Sequence, residues 1–224
     1  MKYHNLHSPR EHRNRRARWL RGGAILVALG FVLSLASFQA RSAGVRREVL
    51  RLHVVANSDS EIDQQAKYHV RDAILAEGAA LFGGSVSAAE AEETIVPRVD
   101  ELENSARRAL RELGLEQPVR VTVGSAFFNT RSYDEAGLTF PAGRYQAVQI
   151  FLGESGGENW WCVMFPPLCL PAAGPRGSAS LDAVLSDGQL RVVQSNPRYE
   201  PRFKIVELWE NFWENFRQES GVRN

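Results

Sequence analysis

Side chains able to do chemistry are few in this sequence. Beyond residue 40 the 224-residue chain has two histidines, His53 and His69, and its only cysteines are Cys162 and Cys169. Neither histidine stands in an HExxH pattern or beside a CxxC pair, so no metal site and no cofactor site is expected. A thiol hydrolase would need Cys162 as nucleophile and His53 as base, with Asp59 or Asn159 orienting the ring. The setting of Cys162 argues against it. The run Trp160-Trp161-Cys162-Val163-Met164-Phe165 is a bulky apolar strand, whereas a reactive thiolate requires an electropositive, partly exposed site. Ser58 with His53 and Asp59 is a weaker triad, because Ser on the turn Asn57-Ser58-Asp59-Ser60 serves better as a helix cap. Gly156-Gly157 before Glu158 opens no helix and so cradles no phosphate. Asp59, Glu61 and Asp63 alternate, yet the glycine and distal Glu of a calcium loop are missing. No catalytic residue is assigned, and the balance favours binding or signalling over an enzyme.

The elements that position these residues can be read from periodicity. Val49–Ala56 alternates, with Leu50, Leu52 and Val54 on one face and Arg51 and His53 on the other, as a half-buried strand does. The Asn57–Ser60 turn has capping-box spacing, Ser58 to Glu61 or Ser60 to Asp63, and predicts a helix to about Phe82, ended by Gly83-Gly84. A second helical stretch starts at Ser87, is divided by Pro97, and continues from Arg98 to Leu113 before Gly114. Strands follow from Val119 to Val123, from Tyr145 to Leu152 and from Trp160 to Phe165. The last three strands are expected to form an antiparallel meander. Residues 172–201 read as an irregular insert with a weak strand at Leu190–Val193. Phe203–Phe216 carries Ile205, Leu208, Trp209, Phe212, Trp213 and Phe216 on one helical face, with docking on the sheet as its expected use and a membrane-surface or partner helix as the alternative. The expected architecture is α+β: an antiparallel sheet of about four strands, two or three packing helices and an aromatic C-terminal helix, in one domain over residues 45–218.

Charge and hydropathy divide the chain before that domain. Residues 1–40 hold seven of the 27 Lys/Arg but one of the 26 Asp/Glu, so the remainder carries five more acids than bases. A negative globular part speaks against nucleic acid as a partner. Residues 1–21 form a basic n-region expected to stay cytoplasmic. Residues 22–40 are nineteen uncharged residues, about the length that spans the hydrocarbon layer. Ser34-Leu35-Ala36 has the small residues that signal peptidase reads, so both a signal peptide and a membrane anchor stay open. In either case the arginines place the bulk of the chain outside. Export also suits the cysteines: Cys162 and Cys169, with six residues between them, are either a disulfide pair or two buried thiols.

Three blocks carry a family resemblance. Val54-Val55-Ala56-Asn57-Ser58-Asp59-Ser60, Asp63-Gln64 and Val70-Arg71-Asp72-Ala73 form the first; Leu138-Thr139-Phe140-Pro141-Ala142-Gly143-Arg144-Tyr145-Gln146-Ala147 the second; Gly156-Gly157-Glu158-Asn159-Trp160-Trp161-Cys162 through Cys169 the third. Together they resemble the stage II sporulation protein R family of endospore-forming bacteria, over about residues 48–170. Asn129 stands where the family usually has Pro, and residues 171–201 match nothing in it. The resemblance implies an exported intercellular signal, made in the forespore and released between the forespore and mother-cell membranes. Its partner there would be a membrane-embedded aspartic protease, which then processes pro-sigma-E in the mother cell. The motif residues Asn57, Ser58, Asp59, Asp63, Arg71, Asp72, Pro141, Gly143, Glu158, Asn159, Trp160 and Trp161 are the candidate contacts. A cell-envelope or carbohydrate-binding module, suggested by the Trp160-Trp161 pair, is the remaining alternative beside the Cys162/His53 hydrolase.

Overall fold

The computed structural model describes residues 9–81, 85, 87–168, 181–194, 204 and 207–212. The chain divides into two compact units, Met1–Ala40 and Arg41–Asn224. The described residues of the first unit are helical. The unit contains most of α1 (Pro9–Arg47), whose stretch from Trp19 is long and apolar enough to cross a membrane, with mean hydropathy 1.9 and 6% of residues buried in an 18-residue window. Leu26 and Val27 are 70% and 74% exposed. A core helix of a soluble domain would hide such side chains, and their exposure here is consistent with a signal peptide or an anchor.

The second unit is α+β, but its sheet is mixed rather than antiparallel throughout. β1 (Leu50–Val55), β2 (Val119–Phe128), β5 (Gly143–Leu152) and β6 (Asn159–Phe165) lie in the order β2-β5-β1-β6. β1 runs parallel to β5 and antiparallel to β6, and β2 runs antiparallel to β5. The expected meander of the last three strands is therefore interrupted, because β1 takes the place between β5 and β6. A parallel neighbour requires a crossover. Here α2 (Glu61–Leu81), α3 (Ala88–Ile95) and α4 (Val99–Glu112) supply it on the way from β1 to β2.

The helix boundaries follow from local chemistry. The Ser60 hydroxyl accepts from Asp63 N at the start of α2, and Ser87 accepts from Glu90 N at the start of α3. Pro97 sits in a 3-10 turn, Val96–Arg98, that separates α3 from α4. After α4, Gly114 takes the left-handed conformation with φ +71, which favours glycine. All three helices pack on one sheet face through Leu50, Leu52, Val54, Ile74, Leu102 and Leu110, each essentially fully buried.

The opposite face is only partly covered. A short hairpin, β3 (Arg131–Tyr133) and β4 (Leu138–Phe140), joins the C-terminal end of α1 and α5 (Asp187–Val193) around Val45, Phe128, Phe140, Tyr145 and Leu185. The hairpin was not foreseen, since three-residue strands are too short to show a period. The weak strand expected at Leu190–Val193 is also corrected: these residues are helical. Gln189 accepts from the backbone N of Ser186 as a capping box, and Val192 and Val193 are buried, so local capping and packing outweigh β-branching. Residues 181–184 are helical too, so the described part of 172–201 is not irregular. In the C-terminal segment residues 207–212 form a helix, and Leu208, Trp209 and Phe212 are 70%, 56% and 60% exposed. Ile205, Trp213 and Phe216 lie outside the described residues.

At the centre of the second face lies Arg51, fully buried. Its Nε donates to the Cys162 carbonyl at 2.8 Å and its Nη2 to the Tyr133 hydroxyl at 3.0 Å. The guanidinium lies 4.5 Å from the Phe128 ring centroid and 5.0 Å from that of Tyr145. Aromatic faces stabilise a cation that has no carboxylate beside it. Replacing Arg51 with Ala removes this packing and leaves the Cys162 carbonyl and Tyr133 hydroxyl short of a donor. Urea unfolding of the unit from Arg41 onward is expected to show a loss of about 3 kcal/mol, and a loss of a few tenths would contradict the structural role given to Arg51.

Candidate functional site

The first and third sequence blocks meet in space. The turn after β1 lies against the β5–β6 loop, and the two are joined through backbone. Gly156 N donates to the Asn57 carbonyl, Gly157 N to that of Ala56, and Ala56 N to that of Glu158. Side chains reinforce the join: Asn57 Oδ1 accepts from Glu154 N at 2.8 Å and Asp59 Oδ1 from Glu158 N at 2.7 Å. Lys67, reaching from α2, donates to the Glu158 carbonyl. A Cβ on Gly157 would stand 2.3 Å from the Ser58 carbonyl oxygen, whereas one on Gly156 would meet nothing nearer than 3.5 Å. Only glycine fits at 157.

Asp63 closes this clasp from beneath. Its Oδ2 accepts from Ser58 Oγ at 2.6 Å and Asn57 Nδ2 at 2.9 Å, and its Oδ1 from Gln117 Nε2 at 2.6 Å. The Ser58 hydrogen bond is the main cause that holds the Asp63 carboxyl below the usual carboxylate range, with partial burial opposing it. Asn57, Ser58, Asp59 and Asp63 are thus occupied with one another and with the loop. Burial lowers Lys67, with Glu158 and Asp59 opposing.

The remaining candidates separate by sheet face. Trp160 points toward the helices, where the Arg71 guanidinium lies 4.6 Å from its ring and Tyr68 packs edge-on at 5.3 Å. Arg71 also pairs with Asp72 at 2.7 Å. Trp161 points to the other face and stacks on His53 with centroids 3.8 Å apart and planes 6° from parallel. The two tryptophans therefore form no shared platform, and the sugar-binding reading loses the feature that suggested it. Pro141 and Gly143 sit away from both places. The Pro141 carbonyl accepts from the Tyr145 hydroxyl at 2.6 Å, Arg46 donates to the Ala142 carbonyl, and Gly143 has φ +139, which only glycine adopts readily. They fix the start of β5 against the end of α1.

The hydrolase arrangement is not formed. Cys162 pairs in register with Leu52 and His53 with Trp161. Adjacent residues on a strand face opposite ways, so Cys162 enters the helix-side core while His53 faces the other side. Asn159 does orient His53, as foreseen: Nε2 donates to Asn159 Oδ1 at 2.6 Å. Burial lowers the His53 pKa, with Asn159 and Gln149 opposing. Ser58 Oγ is committed to Asp63, and His69 contacts Glu112 at 2.7 Å near solvent. Cys169 lies outside the described residues. Among the described residues no group of three His, Cys, Asp or Glu could hold a metal ion.

The family model described as Stage II sporulation protein R (spore_II_R) matches residues 46–174, which span β1 to β6 and both halves of the clasp. The chain belongs to the stage II sporulation protein R family. Stage II sporulation protein R of Bacillus subtilis (strain 168) is 38% identical over 122 residues, 54% of this chain and 54% of that protein. The chain thus matches about half the length of this relative. No solved structure matches. In this family member the hairpin, the burial of Arg51 and the role of Lys67 went unnoticed at the level of sequence. The alternation placed Arg51 on the polar face of a half-buried strand, whereas all six residues of β1 are buried, and Lys67 showed no signal apart from its place one turn after Asp63.

Asp63 yields a prediction with a defined sign. Its folded pKa is depressed, so its contribution to stability is present above the ordinary carboxylate range, near pH 4, and is lost as pH falls through the lower folded value. Asp63→Asn turns one acceptor into an NH2 group facing donors. The expected cost at pH 7 is about 2 kcal/mol, and urea titrations below pH 4 should bring wild type and variant together. A gap that persists at acid pH would show that Asp63 acts through shape rather than charge.

Proposed function

We infer that this chain is an exported sporulation signal: it passes from the forespore into the space between forespore and mother-cell membranes, where it activates a membrane-embedded aspartic protease that processes pro-sigma-E. The observation that carries this reading is the family match over the folded unit, joined in one chain to an N-terminal apolar helix behind an arginine-rich segment. Membership supports a role in sporulation, and the helix is consistent with a signal peptide or anchor. The separation of Cys162 from His53 supports a role without catalysis by that pair.

A binding protein activates an enzyme when it binds the active arrangement more tightly than the inactive one and so shifts the population. The clasp suits such a role. Most of its polar groups pair with one another, the buried Gln117 Oε1 excepted, which fixes the loop between Gly153 and Glu158 before any partner arrives and lowers the ordering cost of binding.

Co-expression in a non-sporulating host tests the reading. The chain, the protease and the pro-sigma substrate are produced together, with and without residues 1–40. Processing is expected only with the exported form; no processing despite confirmed export would refute the assignment.

Export also bears on Cys162 and Cys169, which we propose to be disulfide-bonded. Cys162 is fully buried, and an eight-residue loop is short enough for closure on the oxidising side of a membrane. Mass spectrometry of the exported protein should find both cysteines alkylated only after reduction. Alkylation of unreduced, denatured protein would rule the bond out.

A further inference from the structure

On the sheet face turned away from α2, α3 and α4, five side chains form a continuous row that the clasp does not use. The Arg120 guanidinium lies 4.2 Å from the Phe151 ring centroid. Phe151 meets His53 edge-on at 6.2 Å, and His53 is stacked on Trp161 at 3.8 Å. Arg131 then lies 5.6 Å from the Trp161 centroid. The order across the sheet is cation, three rings, cation. Asn159 holds the middle ring in place.

Four of the five side chains reach solvent, while the central His53 is buried, 9% exposed. Arg120 and Arg131 are exposed, and Phe151, Trp161 and the neighbouring Thr122 and Gln149 are half-buried. A Cβ on Gly124, farther along the same face of β2, would meet nothing within 4 Å.

Charge at the row is unbalanced. The four strands of the sheet contain no Asp or Glu at any position, while Arg51 adds a buried positive charge on this face. Among the described residues neither Arg120 nor Arg131 joins an ion pair. Guanidinium groups resting on rings are held in place and partly desolvated, which prepares them for carboxylates. Beyond residue 40, however, acids outnumber bases by five. A domain of that sign is repelled as a whole by polyanions and by anionic membrane surfaces, so two fixed arginines flanking an aromatic strip fit paired carboxylates on a protein.

We propose that this strip docks an acidic segment of the protein to which the chain signals, with apolar side chains over Phe151 and Trp161 and carboxylates on Arg120 and Arg131. The proposal rests on the signalling reading above.

The test uses the full chain in the co-expression system. Arg120→Glu together with Arg131→Glu is expected to reduce processed sigma factor about tenfold or more, with the amount of exported protein and its protease resistance unchanged. A photocrosslinking residue in place of Thr122, with both arginines intact, is expected to trap the protease, while one in place of Glu101 on α4 is not. Full processing by the charge-reversed protein overturns the proposal, as do Thr122 adducts made of lipid alone. If the wild-type chain itself gives no processing, the signalling reading fails, and the strip is judged separately. A fluorescent peptide with a Leu-Leu centre flanked by glutamates should then bind the purified full chain and lose about tenfold in affinity on charge reversal; equal binding to both proteins overturns the strip as well.

Discussion

The position of β1 between β5 and β6 constrains everything else in the folded unit. A central strand has both edges paired, so its six residues must serve two faces at once. Leu50, Leu52 and Val54 meet the three helices, and Arg51 and His53 meet the hairpin and the aromatic side chains opposite. A shift by one residue would drive a guanidinium into the aliphatic core. Arg51 therefore does more than fill space. A buried cation held by a cage of Phe128, Phe140, Tyr145 and Tyr133 and by the Cys162 carbonyl fixes the register of β1 and, with it, where the following turn emerges.

That turn explains why distant blocks share one role. Asn57 and Asp59 leave β1 beside the point where β5 and β6 are joined, and they accept hydrogen bonds from the backbone of that loop. A loop of Gly, Ser and Glu has little apolar surface to hold it. Its order comes from polar groups of the first block, and Gly157 permits the close approach. Fixing the loop sets the start of β6, so that Asn159 meets His53 and Trp161 takes the side opposite Trp160. The clasp therefore determines the rigid part of the aromatic strip even though none of its residues belongs to it.

Much of this was legible in the sequence where signals are local. Ser60, Ser87, Pro97 and Gly114 act within one turn of themselves, and the helices begin and end where those residues stand. Alternation along β1 separated Leu50, Leu52 and Val54 from Arg51 and His53 correctly. Strand order was not legible, because the parallel pairing of β1 with β5 joins residues nearly one hundred positions apart and leaves no periodic trace. Leu190–Val193 failed for the opposite reason: β-branched residues suggest a strand, yet a capping box at Ser186 and burial of Val192 and Val193 make a helix. The candidate site was legible as a set of residues rather than as a place. Trp160 and Trp161 read as a pair until period two sent them to opposite faces.

The same period-two rule bears on what the domain can do. A nucleophile and its base must share a face, and Cys162 stands one position out of phase with His53, across a central strand that cannot slip. Moving Cys162 to the side of His53 would take the apolar run of β6 out of the helix-side core and put Trp160 out of contact with Arg71 and Tyr68. The fold therefore holds its reactive side chains apart by the feature that stabilises it most. What it leaves at the surface of the second face is an oriented set of rings and guanidinium groups. Rings and guanidinium groups recognise a partner by contact and charge without altering bonds.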